Sequence, residues 1–337
     1  MILGHGDDAF RFDRPVRADF SSNVYQNVDL GALKEHLKDR LDAIGHYPEP
    51  EPYRLEAAIA ASCGIATEAV CVTAGATEAI YLIALAFRGS SSSVLQPTFS
   101  EYADACRLHR HNILPVGQDG KGSARMLWLC NPNNPDGRVI PKDKLTERIR
   151  SNPDTVFVID QSYGFFTQEP LLSPSEALCF PNVLQLHSMT KRYAMPGLRL
   201  GYVTGTPELI AKLRAVRMPW SVNALAVEAG LYLTGHPDTA PIDLDALLAE
   251  AQRLREHLCA IPGVSAEPTR THFMLCRLES GKASDLKEWL VREKGLLIRD
   301  ASNFEGLDEG CFRIAAQKRE ENDLLVEAIS EWQEAQR

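Results

Sequence analysis

The chain has 337 residues, of which 45% are hydrophobic and 24% are charged, so it is neither a disordered chain nor a fibrous one. Its 45 acidic residues outnumber 36 basic ones, and the formal charge of -9 disfavours nucleic acid and anionic membranes as partners. The longest apolar run, residues 79–87, is too short to span a bilayer, and the first residues lack the pattern of a secretory signal. Eight cysteines without a CxxC pair are typical of reduced thiols, so we expect a cytoplasmic protein.

Helix and strand patterns alternate along most of the chain. Apolar residues recur at helical spacing from Leu33 to Ile44, with Gly45 after them, and predict an amphipathic helix. Residues 77–87 are apolar on nearly all sides and predict a buried helix. Short apolar runs predict strands at residues 69–73, 93–95, 125–130, 155–160, 183–187 and 200–204. This alternation favours a parallel sheet covered by helices on both faces.

A segment with two prolines, residues 236–241, is the best candidate for a domain boundary. The pattern after it predicts a smaller α/β unit. Its expected elements are a helix at 244–258, a strand at 272–277, a helix at 283–293, strands at 296–299 and 311–315, and a helix from about Glu320. We therefore predict a large domain over residues 47–235 and a small domain built from residues 1–46 and 236–337.

One lysine stands out because its neighbours suit an anion. Lys191 follows a predicted strand, and the ends of strands in a parallel sheet are where ligands bind. Ser188 and Arg199 flank it, and a hydroxyl and a guanidinium near one lysine suit a group such as phosphate. Gly75, just before the buried helix at Thr77, adds a second phosphate-binding device, since free amides at a helix start point at an anion.

Further polar groups complete a candidate cofactor site. Asp160 ends a predicted strand, where its carboxylate can hold a proton on a ring nitrogen. Tyr163 offers a phenol, and Asn134 offers an amide from a proline-rich turn. A lysine amine, a phosphate cradle, a carboxylate and two neutral hydrogen-bonding groups together indicate a site for pyridoxal 5'-phosphate, PLP. The absence of HExxH and of a Cys/His cluster gives no indication of a metal.

These segments resemble the class I/II aminotransferase family of PLP enzymes over nearly the whole chain. The resemblance implies the aspartate-aminotransferase fold (fold type I), an α/β fold with a parallel-dominated, seven-stranded sheet in the large domain plus a smaller α/β domain. It also implies three catalytic residues. Lys191 joins the cofactor covalently and then acts as general acid or base, Asp160 pairs with the pyridine nitrogen, and Tyr163 contacts the ring oxygen.

The same resemblance assigns the remaining site residues. The cofactor contacts that it implies are Ala76, Thr77, Ser188 and Arg199 at the phosphate, Asn134 at the ring oxygen, Phe99 stacked on the ring, and Tyr47 at the phosphate of the neighbouring subunit. A homodimer is therefore expected. The substrate contacts that it implies are His5, Asn23, Asn134, Arg299 and Arg313, with the arginines on the anionic groups and His5 closing over the substrate.

Two branches of the family are similar to this chain. Residues 5–6, 19–23, 97–102, 188–199 and 297–304 resemble the threonine-phosphate decarboxylases of the cobalamin pathway most, and the histidinol-phosphate aminotransferases share most of these residues. The first expectation is decarboxylation of L-threonine O-3-phosphate to (R)-1-amino-2-propanol phosphate. The alternative is transamination of histidinol phosphate with 2-oxoglutarate. A PLP-sensing regulator without turnover is disfavoured, because such regulators carry an added DNA-binding domain. A nicotinamide dehydrogenase is disfavoured by the lack of GxGxxG.

Overall fold

The structure is a computed structural model that describes residues 6–116, 124–239 and 241–336. The strands of these ranges form three sheets. They are β1 (Ala18–Asp19), β2 (Val70–Thr73), β3 (Ser91–Val94), β4 (Asn112–Ile113), β5 (Met126–Cys130), β6 (Val156–Asp160), β7 (Val183–Ser188), β8 (Gly201–Gly205), β9 (Val264–Ala266), β10 (Phe273–Leu278), β11 (Leu296–Leu297), β12 (Arg299–Asp300) and β13 (Cys311–Ala315).

The α-helices lie between the strands for most of the chain. They are α1 (Gly31–Lys38), α2 (Tyr53–Cys63), α3 (Gly75–Ala86), α4 (Glu101–Leu108), α5 (Lys142–Arg150), α6 (Pro174–Ala177), α7 (Met189–Arg192), α8 (Pro207–Arg214), α9 (Ala224–Gly235), α10 (Leu244–Cys259), α11 (Ala283–Trp289) and α12 (Arg319–Ala335). Among the described helices, none is long and apolar enough to cross a membrane.

The largest sheet has seven strands in the order β2-β8-β7-β6-β5-β3-β4. Its neighbours from β7 to β4 run parallel, and β8 runs antiparallel to both β2 and β7. Every residue of β5 is buried, which explains why this strand reads as a continuous apolar run rather than an alternating one. The predicted parallel-dominated, seven-stranded sheet is therefore confirmed.

Helices cover both faces of this sheet. Trp128 of β5 packs into the core that contains residues of α3, α4 and α8, whereas its neighbour Leu129 packs into the core that contains Leu145 and Ile149 of α5. Successive side chains of a strand point to opposite faces, so one apolar strand supplies both cores. The carboxyl ends of β6 and β7, at Asp160 and Ser188, line a cavity.

A four-stranded antiparallel sheet, β12-β13-β10-β9, forms the second unit. Helices α10, α11 and α12 pack on it through Leu254, Leu286 and Ile329. The strand expected at residues 296–299 is split at Ile298, because β11 pairs with β1 from the N-terminal segment while β12 pairs with β13. That bend brings Arg299 into the four-stranded sheet.

The amphipathic helix expected up to Ile44 is shorter in the structure. Helix α1 ends at Lys38, and a 3-10 helix follows at Leu41–Gly45. Leu33 of α1 is buried in the core that α2 and α9 also line, whereas Leu41 is 50% exposed and Ile44 is 71% exposed. The continuous helix was a wrong prediction, because without packing on its apolar face the second half gains too little to stay α-helical. The division into domains at residues 47–235 stays a prediction.

Candidate active site

A cavity of about 180 Å³ lies where β6 and β7 end and α3 begins. The four-stranded sheet and the N-terminal segment close its other side. Most of the predicted site residues line this one cavity. They are Ala76, Thr77, Phe99, Asn134, Asp160, Tyr163, Ser188, Lys191, Arg199, Arg299 and Arg313.

Lys191 lies in α7, which begins directly after β7. Its Nζ donates a hydrogen bond to the carbonyl oxygen of Ser22 at 3.3 Å. Burial, together with the positive charges of Arg313 and Arg199, lowers the pKa of Lys191 to about 8. A pKa this low leaves a useful fraction of the amine neutral, which is the form that attacks an aldehyde.

Asp160 is the last residue of β6 and is 4% exposed. Its carboxylate accepts a hydrogen bond from Tyr102 Oη at 2.7 Å and another from the backbone amide of Ser162 at 2.8 Å. Burial raises the pKa of Asp160, while these two hydrogen bonds and the nearby Lys191 charge act to lower it. The carboxylate is therefore held in place and ready to pair with a protonated ring nitrogen.

The start of α3 and the turn before β8 approach each other closely. A Cβ atom on Gly201 would lie 2.8 Å from the backbone nitrogen of Ala76, and one on Gly75 would lie 2.7 Å from the guanidinium of Arg199. Gly75 also has a φ of 86°. Only glycine fits at these two positions, and the start of α3 lines the same cavity as Arg199 and Ser188. This cradle suits a phosphate group.

Two arginines face the cavity from the four-stranded sheet. Arg299 of β12 and Arg313 of β13 are directly opposite each other in the antiparallel pair, so their side chains share a face. Arg313 donates to Asn134 Oδ1 at 2.6 Å and also to the Ser21 carbonyl. Burial lowers the pKa of Arg313 and lowers that of Arg299 to about 10. Two buried guanidiniums side by side are suited to anionic groups of a ligand.

The ring-contacting candidates are also in place. Phe99 lies on the cavity wall with its ring edge-on to Tyr102, at 5.8 Å between centroids. Burial raises the pKa of Tyr163 to about 12, so its phenol is a hydrogen-bond donor at neutral pH. An amine of lowered pKa, a buried carboxylate and an anion cradle thus share one cavity, and this donor set fits PLP in both charge and chemistry.

Comparison with known proteins gives the family. The sequence profile of the aminotransferase class I and II family matches residues 17–329. The chain belongs to this family. Its members depend on PLP, so the chain is a PLP-dependent enzyme, and the resemblance expected from the sequence is confirmed.

Similar class I/II proteins include both expected branches. The solved structure of L-threonine-O-3-phosphate decarboxylase from Porphyromonas gingivalis is 38% identical, covers 94% of this chain and 99% of its own, and superimposes with a TM-score of 0.90. The threonine-phosphate decarboxylase of Salmonella typhimurium is 29% identical over 92% of this chain and 90% of its own length. The histidinol-phosphate aminotransferase of Thermoanaerobacter sp. is 29% identical over 85% of this chain and 84% of its own length. The fold type I prediction is confirmed by these neighbours.

Neither Asn23 nor Tyr47, which is expected at the phosphate of a neighbouring subunit, lines this cavity, and the roles of both stay predictions. Asn23 is fully buried with a φ of 53°, and its neighbours Ser22 and Val24 line the cavity instead. Tyr47 is 87% exposed, and its ring lies 5.7 Å from that of Trp220. His5 lies outside the described residues.

Several residues of this class I/II site were not singled out from the sequence. Tyr102 of α4 comes three residues after Phe99, which precedes the helix, and this spacing was a signal that both could face one site. Phe304 lines the cavity and lies 5.3 Å from the guanidinium of Arg299. Asp7 lines the cavity from the N-terminal segment, and no sequence pattern pointed to it.

Proposed function

We propose that the chain is a PLP-dependent decarboxylase that converts L-threonine O-3-phosphate to (R)-1-amino-2-propanol phosphate, a reaction of the cobalamin-type pathway. The observation that carries the proposal is the pair Arg299 and Arg313, opposite each other on one wall of the cavity that holds Lys191. A substrate with a carboxylate and a phosphate offers one anionic group to each guanidinium. The 38% identity to the Porphyromonas gingivalis decarboxylase supports the same choice.

The residues of the cavity divide into cofactor and substrate contacts. Ala76, Thr77, Ser188 and Arg199 would hold the cofactor phosphate, and Phe99 would contact the ring. Asp160 would keep a proton on the ring nitrogen, while Asn134 and Tyr163 would bond the ring oxygen. When bound, PLP supplies a sink for the electron pair that a breaking Cα bond leaves behind.

Lys191 carries the proton transfers. With PLP and substrate bound, the Lys191 amine would lie within the cavity, where it could donate a proton to Cα of the substrate after carbon dioxide leaves. Arg313 is oriented by Asn134 Oδ1 and the Ser21 carbonyl, and it holds an anionic group of the substrate. Decarboxylation requires that the carboxylate stand perpendicular to the cofactor ring.

Transamination of histidinol phosphate is the alternative. The histidinol-phosphate aminotransferase of Thermoanaerobacter sp. is as similar in sequence as the Salmonella typhimurium decarboxylase is, at 29% identity for each. That substrate also carries an amine and a phosphate, but it has no carboxylate at Cα. The second arginine would then lack an anionic partner while histidinol phosphate is bound, although the two carboxylates of 2-oxoglutarate would engage both arginines in the other half of the reaction.

We also propose that the enzyme is a homodimer in which Tyr47 reaches the neighbouring active site. The loop around Tyr47 adjoins the segment of Trp220, whose amide donates to the Pro50 carbonyl at 2.9 Å. Exposed apolar side chains lie in and next to these two segments, namely Leu41, Ile44, Tyr47, Tyr53, Met218 and Trp220. A surface of this kind is typical of a protein interface. The cysteines of the described residues are all free thiols, which supports a cytoplasmic location.

The products of the two candidate substrates test the function. The PLP-loaded protein is incubated with L-threonine O-3-phosphate alone and, separately, with histidinol phosphate and 2-oxoglutarate. Release of carbon dioxide with an aminopropanol phosphate is expected in the first mixture, and its loss is expected in Arg313→Gln. Formation of glutamate in the second mixture without carbon dioxide in the first would overturn the decarboxylase in favour of the aminotransferase.

A further inference from the structure

A turn at residues 300–304 continues from β12 and has a fixed backbone. The carboxylate of Asp300 accepts a hydrogen bond from the amide of Ser302 at 2.9 Å. The side chains of Ala301 and Phe304 are buried and belong to one small apolar cluster. The core and this hydrogen bond therefore hold the turn in place, and with it the direction of the side chains that it carries.

This turn places Asn303 against the guanidinium of Arg299. Arg299 Nη2 donates a hydrogen bond to Asn303 Oδ1 at 2.7 Å, and Arg299 Nη1 donates to the backbone carbonyl of Asp300. The ring of Phe304, on the cavity wall, lies 5.3 Å from the same guanidinium. Arg299 is buried, whereas Asn303 is exposed and does not line the cavity. The orientation of a buried charge thus depends on a side chain at the protein surface.

Arg299 needs such support because Arg313 lies beside it. The two residues are directly opposite each other in β12 and β13, and like charges in this arrangement repel each other. Burial, together with the charge of Arg313, lowers the pKa of Arg299 to about 10. Arg313 is itself bonded to Asn134 Oδ1 and to the Ser21 carbonyl. These acceptors are neutral oxygens, so they orient each guanidinium without cancelling its charge.

We propose that Asn303 is a positioning residue that holds Arg299 beside Arg313, in the orientation that an anionic ligand needs. The inference rests on the proposed function in one respect, since it takes Arg299 as a substrate contact. A guanidinium that is already oriented loses little conformational freedom when an anion binds, so binding is stronger. Without Asn303 the ligand itself would have to order Arg299 against the repulsion of Arg313. Asn303 therefore acts on the ligand through Arg299.

A double-mutant cycle with a small anionic ligand tests this role. Phosphoglycolate carries a carboxylate and a phosphate, and it has no amine with which to react with the cofactor. Its affinity for the PLP-loaded protein is measured by isothermal titration calorimetry for wild type, Asn303→Ala, Arg299→Gln and the double variant. Asn303→Ala should weaken binding by roughly threefold to tenfold, because the ligand must then order one long side chain. In the Arg299→Gln background the same change should have an effect of less than about 1.5-fold, because the residue through which Asn303 acts is gone.

Ser302→Ala is the matched control in the same turn. It truncates a side chain that does not line the cavity and keeps the hydrogen bond from its amide to Asp300, so the affinity should stay within about 1.5-fold of wild type. The midpoint of thermal unfolding should be the same in wild type and Asn303→Ala, because Asn303 is exposed. With L-threonine O-3-phosphate, Asn303→Ala should raise KM and leave kcat within about twofold, since the lost interaction serves binding.

The cycle separates the role of Asn303 from the proposed function. Equal weakening by Asn303→Ala in both backgrounds, or no weakening in either, would overturn the inference, and so would a fall in kcat without a rise in KM. Failure of phosphoglycolate to bind to the wild type would also overturn it, because the arginines would then hold no ligand of this class. The expected coupling in a protein that releases no carbon dioxide from L-threonine O-3-phosphate would refute the decarboxylase and support the role of Asn303.

Discussion

The hydrogen bond from Tyr102 to Asp160 leads to a prediction about cofactor binding. In Tyr102→Phe the carboxylate loses a donor 2.7 Å away, while the ring that stacks on Trp128 stays in place. That hydrogen bond opposes the rise that burial causes in the pKa of Asp160, so its loss raises this pKa further. Asp160 is then less able to stay ionised beside a protonated ring nitrogen. We expect weaker PLP binding and slower turnover.

The magnitude follows from the charge on the acceptor. A hydrogen bond to an ionised group contributes about 1.5–3 kcal/mol, so the PLP dissociation constant should rise and kcat should fall by roughly 10-fold to 100-fold. Equilibrium dialysis against PLP and steady-state kinetics measure the two effects.

Tyr81→Phe is the matched control, because Tyr81 Oη donates to a carboxylate oxygen of Glu101 at 2.8 Å outside the cavity lining. Tyr102→Phe with both constants within twofold of wild type would refute the reasoning.

Three further predictions concern the cradle, the surface and the lysine. Gly201→Ala should weaken PLP binding at least tenfold, measured by dialysis, because its Cβ would meet backbone 2.8 Å away, whereas Gly197→Ala meets nothing within 4 Å and should bind normally. Met218→Asp should shift the dimer to monomer in light scattering, whereas Leu324→Asp, at an exposed apolar residue of α12, should not; a dimer in both variants would contradict the interface. The rate at which cofactor-free protein takes up PLP should rise about tenfold per pH unit below about pH 8 and then level off, because the lowered pKa of Lys191 fixes the neutral fraction; a rate that still rises at pH 10 would contradict this.

The strands that end at the site could be predicted from the sequence, because each is a continuous run of apolar residues that can be recognised without knowing its partners. The parallel strands β5 and β6 are buried on both faces and read as apolar runs, so the polar Asp160 at the end of one of them stands out. Lys191 stands out for the same reason, because this charged residue follows shortly after the predicted strand that is β7. The two-residue strand β4 could not be found, since its pairing with β3 depends on contacts distant in sequence.

Contacts between distant segments limited the prediction of the site. Tyr102 and Asp160 are 58 residues apart, and only the packing of α4 on the sheet brings them together. Asn23 has a left-handed φ and lies between Ser22 and Val24, which line the cavity, and its contact with the substrate stays a prediction. Asp7 depends on the contact between the N-terminal segment and Ser21, which no local pattern encodes.

The identity of the lysine that carries the cofactor is the most direct test of the account. The PLP-loaded protein is reduced with borohydride, digested, and mapped by mass spectrometry. The account predicts a pyridoxyl group on the peptide that contains Lys191 and no modification of that kind in Lys191→Ala. A modified lysine elsewhere in the wild-type chain, or an unmodified Lys191 after reduction in excess PLP, would contradict it.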